Sequence, residues 1–198
     1  DLPRVHVHLY KYIPTQAGMG GGSSDCAYMI RLLNEMFSLG MSDDKMIGYA
    51  ARLGADCAFF INSLPAYAEG IGEKLQPISL DLSGYKMLVV RPNIPVSTKE
   101  AFSLITPQIP KKNSLDVVMQ PIETWKDELV NDFERSVFAI HPEIGMLKDK
   151  MYEQGAVYAA MSGSGSSVFG LFHDTPDEKS FVGCMDELTV FTVDMSDI

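Results

Sequence analysis

Pro14-Thr15-Gln16-Ala17-Gly18-Met19-Gly20-Gly21-Gly22-Ser23-Ser24-Asp25 is the stretch from which the rest of this chain is best read. Ahead of it, Val5, Val7 and Leu9 alternate with His6 and His8, which predicts a strand over residues 5–9. Behind it, Cys26, Met29, Ile30, Leu33, Met36 and Phe37 recur at helical spacing, with Ser23 and Ser24 placed to cap that helix. Four of the five residues from 18 to 22 are glycine, so the backbone can turn sharply and a ligand can come close without meeting a Cβ. The helix that follows points free N–H groups and the positive end of its dipole into the loop, which suits a polyphosphate. The Ser23 and Ser24 hydroxyls are placed to donate to phosphate or to reach a bound Mg²⁺. No Gly-Lys-Ser or Gly-Lys-Thr occurs, so this is not a Walker A loop, and Ser23 stands where G-x-G-x-x-G needs its last glycine.

Composition narrows what such a loop can serve. The 198 residues are 46% hydrophobic and 21% charged, enough for one large domain or two small ones and against disorder. A net charge of −10 argues against a nucleic acid or an anionic membrane as partner, and leaves a small-molecule substrate. No apolar run approaches the roughly 20 residues of a membrane span. Cys26, Cys57 and Cys184 form no CxxC pair and have no histidine at ligand spacing, which fits reduced thiols in a cytoplasmic enzyme.

Further along, Ser42-Asp43-Asp44 opens a second helix that carries Met46, Ile47, Ala50 and Leu53 inward and ends at Gly54. Residues 57–61 read as an apolar strand, and residues 66–69 and 74–78 as short strands around Gly70-Ile71-Gly72. The polar residues 81–84 mark a boundary, giving domains 1–83 and 84–198. In the second, strands are expected at 87–90, 156–160, 168–172 and 190–193. Helices are expected at 98–105 behind Ser97, through Trp125, Leu129 and Phe133, through Ile144, Leu147 and Met151, and over 176–188, with a loop at 106–113. Alternation of this kind fits an α+β layered fold better than a barrel or a sandwich of sheets.

Two further sites carry chemistry. Asp56 sits between Gly54 and an apolar run, where it either accepts the proton of a substrate hydroxyl or caps a local backbone amide. Ser162-Gly163-Ser164-Gly165-Ser166-Ser167 lies between two apolar strands, either as a second anion-binding turn or as a tight connection. There is no G-x-S-x-G elbow and no H-E-x-x-H, and His6, His8, His141 and His173 are scattered.

In type and order, the glycine loop, then Leu53-Gly54-Ala55-Asp56, then Gly163-Ser164-Gly165-Ser166 resemble the GHMP kinase superfamily. Gly20-Gly21-Gly22-Ser23-Ser24, the run from Leu53 through Phe60, and Ala66-Tyr67-Ala68-Glu69-Gly70-Ile71-Gly72-Glu73 bring it nearest to one branch. That branch phosphorylates the 2-hydroxyl of 4-diphosphocytidyl-2-C-methyl-D-erythritol in non-mevalonate isoprenoid synthesis. The resemblance implies a ribosomal-protein-S5-like N-terminal domain and a ferredoxin-like C-terminal domain, with ATP and Mg²⁺ as cofactors. It also implies Asp56 as catalytic and substrate-binding residue. Lys11, Pro14, Thr15, Gln16, Ala17, Gly18, Met19, Gly20, Gly21, Gly22, Ser23 and Ser24 are then the nucleotide site, and Thr98, Phe102, Gly163, Ser164 and Gly165 lie toward the substrate. The family's opening strands, with a Lys-x-Asn-Leu motif whose lysine partners the catalytic Asp, do not occur ahead of Leu9. The chain therefore reads as part of a longer protein, and by itself is expected to be inactive. A homoserine- or mevalonate-type kinase, or a non-catalytic nucleotide sensor on the same fold, are the rival readings.

Overall fold

The computed structural model describes residues 2–13, 16–103, 105–106, 108, 110 and 112–197, which gather into two compact units. The first comprises Asp1–Thr15 and Gly20–Ser79, the second Gln16–Met19 and Leu80–Ile198. Among the described residues no helix is long and apolar enough to cross a membrane.

The first unit is built on three helices. Helix α1 (Gly21–Met36) starts ahead of the two serines, because Gly20 takes the N-cap position with φ 64° and no side chain caps it. A glycine adopts that left-handed turn without a Cβ penalty. Ser24 then lies inside the first turn, where its hydroxyl donates to Gly21 O at 2.9 Å. Helix α2 (Asp43–Leu53) is capped by Ser42, whose Oγ accepts from Lys45 N, with Asp43 and Asp44 in the favourable first turn. Met46 and Ala50 are buried, but Leu53, at the last position of the helix, is exposed.

The apolar run at residues 57–61 is helical rather than extended. A 3₁₀ turn over Ala55–Cys57 leads into α3 (Phe59–Asn62). Short apolar runs of this length cannot be assigned by periodicity alone. Here Cys57 and Ile61, four residues apart, share a core with Ala27, Met46 and Ala50. Cys26 packs against the same cluster, where burial, and then a hydrogen bond with Cys57, push its thiol pKa up. The unit closes on an antiparallel hairpin of β1 (Ala66–Glu69) and β2 (Lys74–Pro77). Residues 5–9 form no strand: no described segment supplies a ladder, and Val5, Val7 and Leu9 are exposed.

The second unit is an antiparallel sheet covered on both faces. Strand β3 (Lys86–Arg91) leads through helices α4 (Thr98–Ser103), α5 (Ser114–Val118), α6 (Trp125–Glu128), α7 (Asp132–Ile140) and α8 (Pro142–Glu153). Strands β4 (Tyr158–Met161), β5 (Val168–Phe172) and β6 (Thr189–Asp194) complete it in the order β4-β5-β3-β6. Alternation along the strands divides the core. Leu88, Val90, Ala159, Met161 and Phe172 join Val137 of α7 and Ile144, Leu147 and Met151 of α8 on one face. Tyr158, Ala160 and Leu171 meet Val117 of α5 and Trp125 of α6 on the other.

Three expectations change here. Trp125, Leu129 and Phe133 do not share a helix, because Leu129 leaves helical geometry and Asn131 starts α7 with its Oδ1 accepting from Phe133 N. The helix expected over 176–188 reduces to a single 3₁₀ turn, Glu178–Phe181, since Gly183 and Glu187 both adopt positive φ. The strand expected from 156 starts at Tyr158. The expected helix at 98–105 is described as far as Ser103; residue 104, and residues 107, 109 and 111 of the expected loop, lie outside the described residues.

Candidate functional site

The two Gly/Ser stretches meet within the second unit. Gln16, Gly18 and Gly20 have φ of 59°, 72° and 64°, so the loop turns repeatedly through the left-handed region. Ser162 Oγ donates to Gly18 O at 2.7 Å, and Ser167 N donates to Ala17 O at 3.2 Å. A Cβ on Gly18 would lie 2.1 Å from Ser162 O and 2.9 Å from Gly165 O, so only glycine fits. The connection 162–167 is itself closed by Ser162 N to Ser167 O (2.8 Å) and Gly165 N to Ser162 O (3.0 Å). It is thus the tight strand connection, and it also supports the glycine loop, which its sequence did not indicate. Pro14 and Thr15, both expected at the nucleotide, lie outside the described residues.

The start of α1 belongs to the first unit. No carboxylate occupies its first turn, and Ser24 N to Gly20 O is the bond that closes it, so the N–H groups before Ser24 precede the helical ladder. Gly21 has ordinary helical φ; its Cβ would meet Ile13 Cγ2 at 2.8 Å, so a packing contact explains the glycine there. A Cβ on Gly22 would meet nothing within 4 Å. Lys11 pairs with Asp25, one turn into the helix, which holds an ammonium near this positive end.

Asp56 is exposed in its 3₁₀ turn and accepts no hydrogen bond among the described residues, so the local-capping alternative is not realised. Its neighbour is the β1–β2 turn: a Cβ on Gly72 would lie 3.6 Å from Asp56 Oδ1. Glu73 fixes that turn, with Oε2 accepting from Ile71 N at 2.7 Å. Its own backbone N–H and that of Ile71 hold the Glu73 carboxyl below the usual carboxylate range. The charge of Glu73 therefore serves the turn.

In the second unit, Thr98 Oγ1 and Ser164 Oγ are 3.0 Å apart, which joins two residues singled out far apart in sequence. Phe102 is 63% exposed and meets Phe133 edge-on at 4.9 Å. Two residues escaped the sequence reading. Asn131 Nδ2 donates to Met161 O (2.7 Å) and Gly163 O (2.8 Å). Glu134, only 6% exposed, accepts from Met161 N (2.8 Å) and from Lys148 (2.5 Å). Their signal was present in Asn131-Asp132-Phe133-Glu134, an Asn cap with acids in the first turn, which reads as an ordinary helix start. Among the described residues no group of three or more His, Cys, Asp or Glu gathers to hold a metal.

Comparison with known proteins gives this arrangement its class. Residues 2–63 match the GHMP kinases N terminal domain and residues 117–187 the GHMP kinases C terminal. The chain belongs to the GHMP kinase family. It is 55% identical over 168 residues to the 4-diphosphocytidyl-2-C-methyl-D-erythritol kinase of Bacteroides thetaiotaomicron, covering 85% of this chain and 61% of that protein. The protein of the same name from Porphyromonas gingivalis is 39% identical over 189 residues, 93% of this chain and 69% of that one. A crystal structure of 4-(cytidine 5'-diphospho)-2C-methyl-D-erythritol kinase superposes with TM-score 0.66 at 30% identity, over 81% of this chain and 59% of that chain. The chain thus spans 61% of the length of the Bacteroides relative, and 59% of that crystallised chain.

Proposed function

We propose that the protein to which this chain belongs phosphorylates the 2-hydroxyl of 4-diphosphocytidyl-2-C-methyl-D-erythritol with ATP, as the names of its relatives suggest. The observation that carries the reading is the glycine loop, folded back onto residues 162–167 and running into an uncapped, acid-free helix start. That combination fits polyphosphate on backbone donors in an acidic protein. Residues 1–83 and 84–198 are read as the N- and C-terminal kinase domains, and the cytoplasm as the compartment, with a small molecule rather than nucleic acid or membrane as partner.

In this reading, residues 14–24 and Lys11 hold the nucleotide. Ser24, whose proton is committed to Gly21 O, offers oxygen lone pairs instead of a donor. That oxygen suits the hydration shell of a cation better than a phosphate. Mg²⁺, when bound with ATP, neutralises charge on the phosphates. Asp56, exposed and unpaired among the described residues, takes the proton of the attacking hydroxyl. Thr98, Ser164 and the Gly163 and Gly165 backbone face the substrate, and Phe102 stacks on its cytosine.

The test is turnover of the full-length protein with ATP and each of three alcohols: the diphosphocytidyl substrate, homoserine and mevalonate. The first alone should be phosphorylated. Asp56→Asn should lower that turnover about 10²–10⁴-fold with ADP affinity unchanged. Preference for homoserine or mevalonate would overturn the substrate, and ADP binding without turnover would favour a sensor.

A further inference from the structure

The first turn of α7 touches every element of the second unit that the proposed function uses on the substrate side. Asn131 spends its whole amide there: its two hydrogens go to Met161 O and Gly163 O, and its oxygen accepts Phe133 N. The two carbonyls flank Ser162, whose hydroxyl donates to Gly18 O. Phe133 carries the ring against which Phe102 rests. Glu134 takes Met161 N, so the residue that opens the 162–167 connection is gripped on both its N–H and its C=O.

We infer that Asn131 is a positioning residue for the phosphoryl-transfer reaction, setting Gly163 directly and Gly18 through Ser162. The inference rests on the proposed function. Gly163 has φ 54°, and its Cβ position would lie 3.3 Å from Gly18 O, so it sits directly against the glycine loop. Shifts of about 1 Å in a positioning element can cost about a hundredfold in rate. Capping and positioning are separable at this site. Serine is as good an N-cap as asparagine, but it cannot span Met161 O and Gly163 O with two donors.

The experiment compares full-length wild type, Asn131→Ser, Ser162→Ala and the double variant, with Ile144→Val as a core-packing control away from the loops. Asn131→Ser should lower kcat about 10- to 100-fold while its thermal midpoint falls by less than about 10 °C. Ile144→Val should lower the midpoint and leave kcat at wild type. Asn131→Ser and Ser162→Ala should be less than additive in kcat, because both act on the placement of Gly18. An active wild type whose Asn131→Ser variant keeps kcat, or strict additivity of the pair, overturns the inference. An inactive wild type that binds ADP overturns the proposed function instead. If Asn131→Ser fails to fold, Ser162→Ala decides alone: wild-type kcat there refutes the link to Gly18.

Discussion

Gly18→Ala and Gly22→Ala, four residues apart in one glycine-rich stretch, should change stability in opposite directions. At Gly18 an added Cβ must tolerate φ 72° and would overlap Ser162 O at 2.1 Å. The left-handed conformation costs an alanine about 1–2 kcal/mol. Relieving the overlap means drawing residues 16–19 away from 162–167, which forfeits Ser162 Oγ to Gly18 O and Ser167 N to Ala17 O. At about 0.5–1.5 kcal/mol for each bond, the total cost is about 2–5 kcal/mol. At Gly22, in the first turn of α1, nothing lies within 4 Å of the added Cβ. There alanine should gain up to about 1 kcal/mol of helix preference, less for a residue so near the helix end. Urea unfolding followed by fluorescence of Trp125, the chain's single tryptophan and 4% exposed, reports the unit in which the Gly18 contacts lie. Gly22→Ala should be read by circular dichroism, since α1 lies in the other unit. A Gly18→Ala midpoint equal to wild type would refute the claim that the two loops are locked together.

Gly21→Ala should destabilise the first unit through Ile13, whose Cγ2 lies 2.8 Å from the new Cβ, and Ile13→Ala should restore part of the loss. Thermal midpoints of the single and double variants test this, and additive losses would count against it. Tyr158 is buried, its hydroxyl donates to Leu129 O at 2.9 Å, and burial, then Glu134 and Tyr152, push its pKa up. A folded pKa above the unfolded value of about 10 means the contribution is intact below that pH and is lost as pH rises through the folded value. Tyr158→Phe should therefore flatten the fall in urea midpoint above about pH 10, and an unchanged alkaline slope would show that another group sets it.

What could be read from sequence followed the strength of local signals. Ser42 before Asp43-Asp44 and the Ile144, Leu147, Met151 spacing each define a helix by cap or stripe, and both helices formed. The β1–β2 hairpin was legible as two short strands around the turn Gly70-Ile71-Gly72. Residues 57–61 misled because five apolar residues satisfy a strand or a helix equally, and only packing on α1 and α2 decided. Residues 176–188 misled because Gly183 and Glu187 take positive φ, which leaves one turn of the expected helix. At the site, residue types were legible and their meeting was not. Gly18 and Ser162 are 144 positions apart, and nothing local to either loop indicates that one hydroxyl reaches the other's carbonyl. Asn131 was hidden by its second role, since a helix cap already accounts for an asparagine at that position.

The assignment of Gln16–Met19 to the later unit has a consequence for building chimeras. Exchanging the second half of this chain for that of a relative, with the crossover between Ser79 and Leu80, would not transplant a complete unit. The incoming Ser162 and Ser167 equivalents would find their carbonyl partners on Gly18 and Ala17 of the old first half. Compatibility of such a hybrid is then governed by four residues some sixty positions upstream of the crossover, and carrying 16–19 along with the second half is the exchange that keeps the partners together.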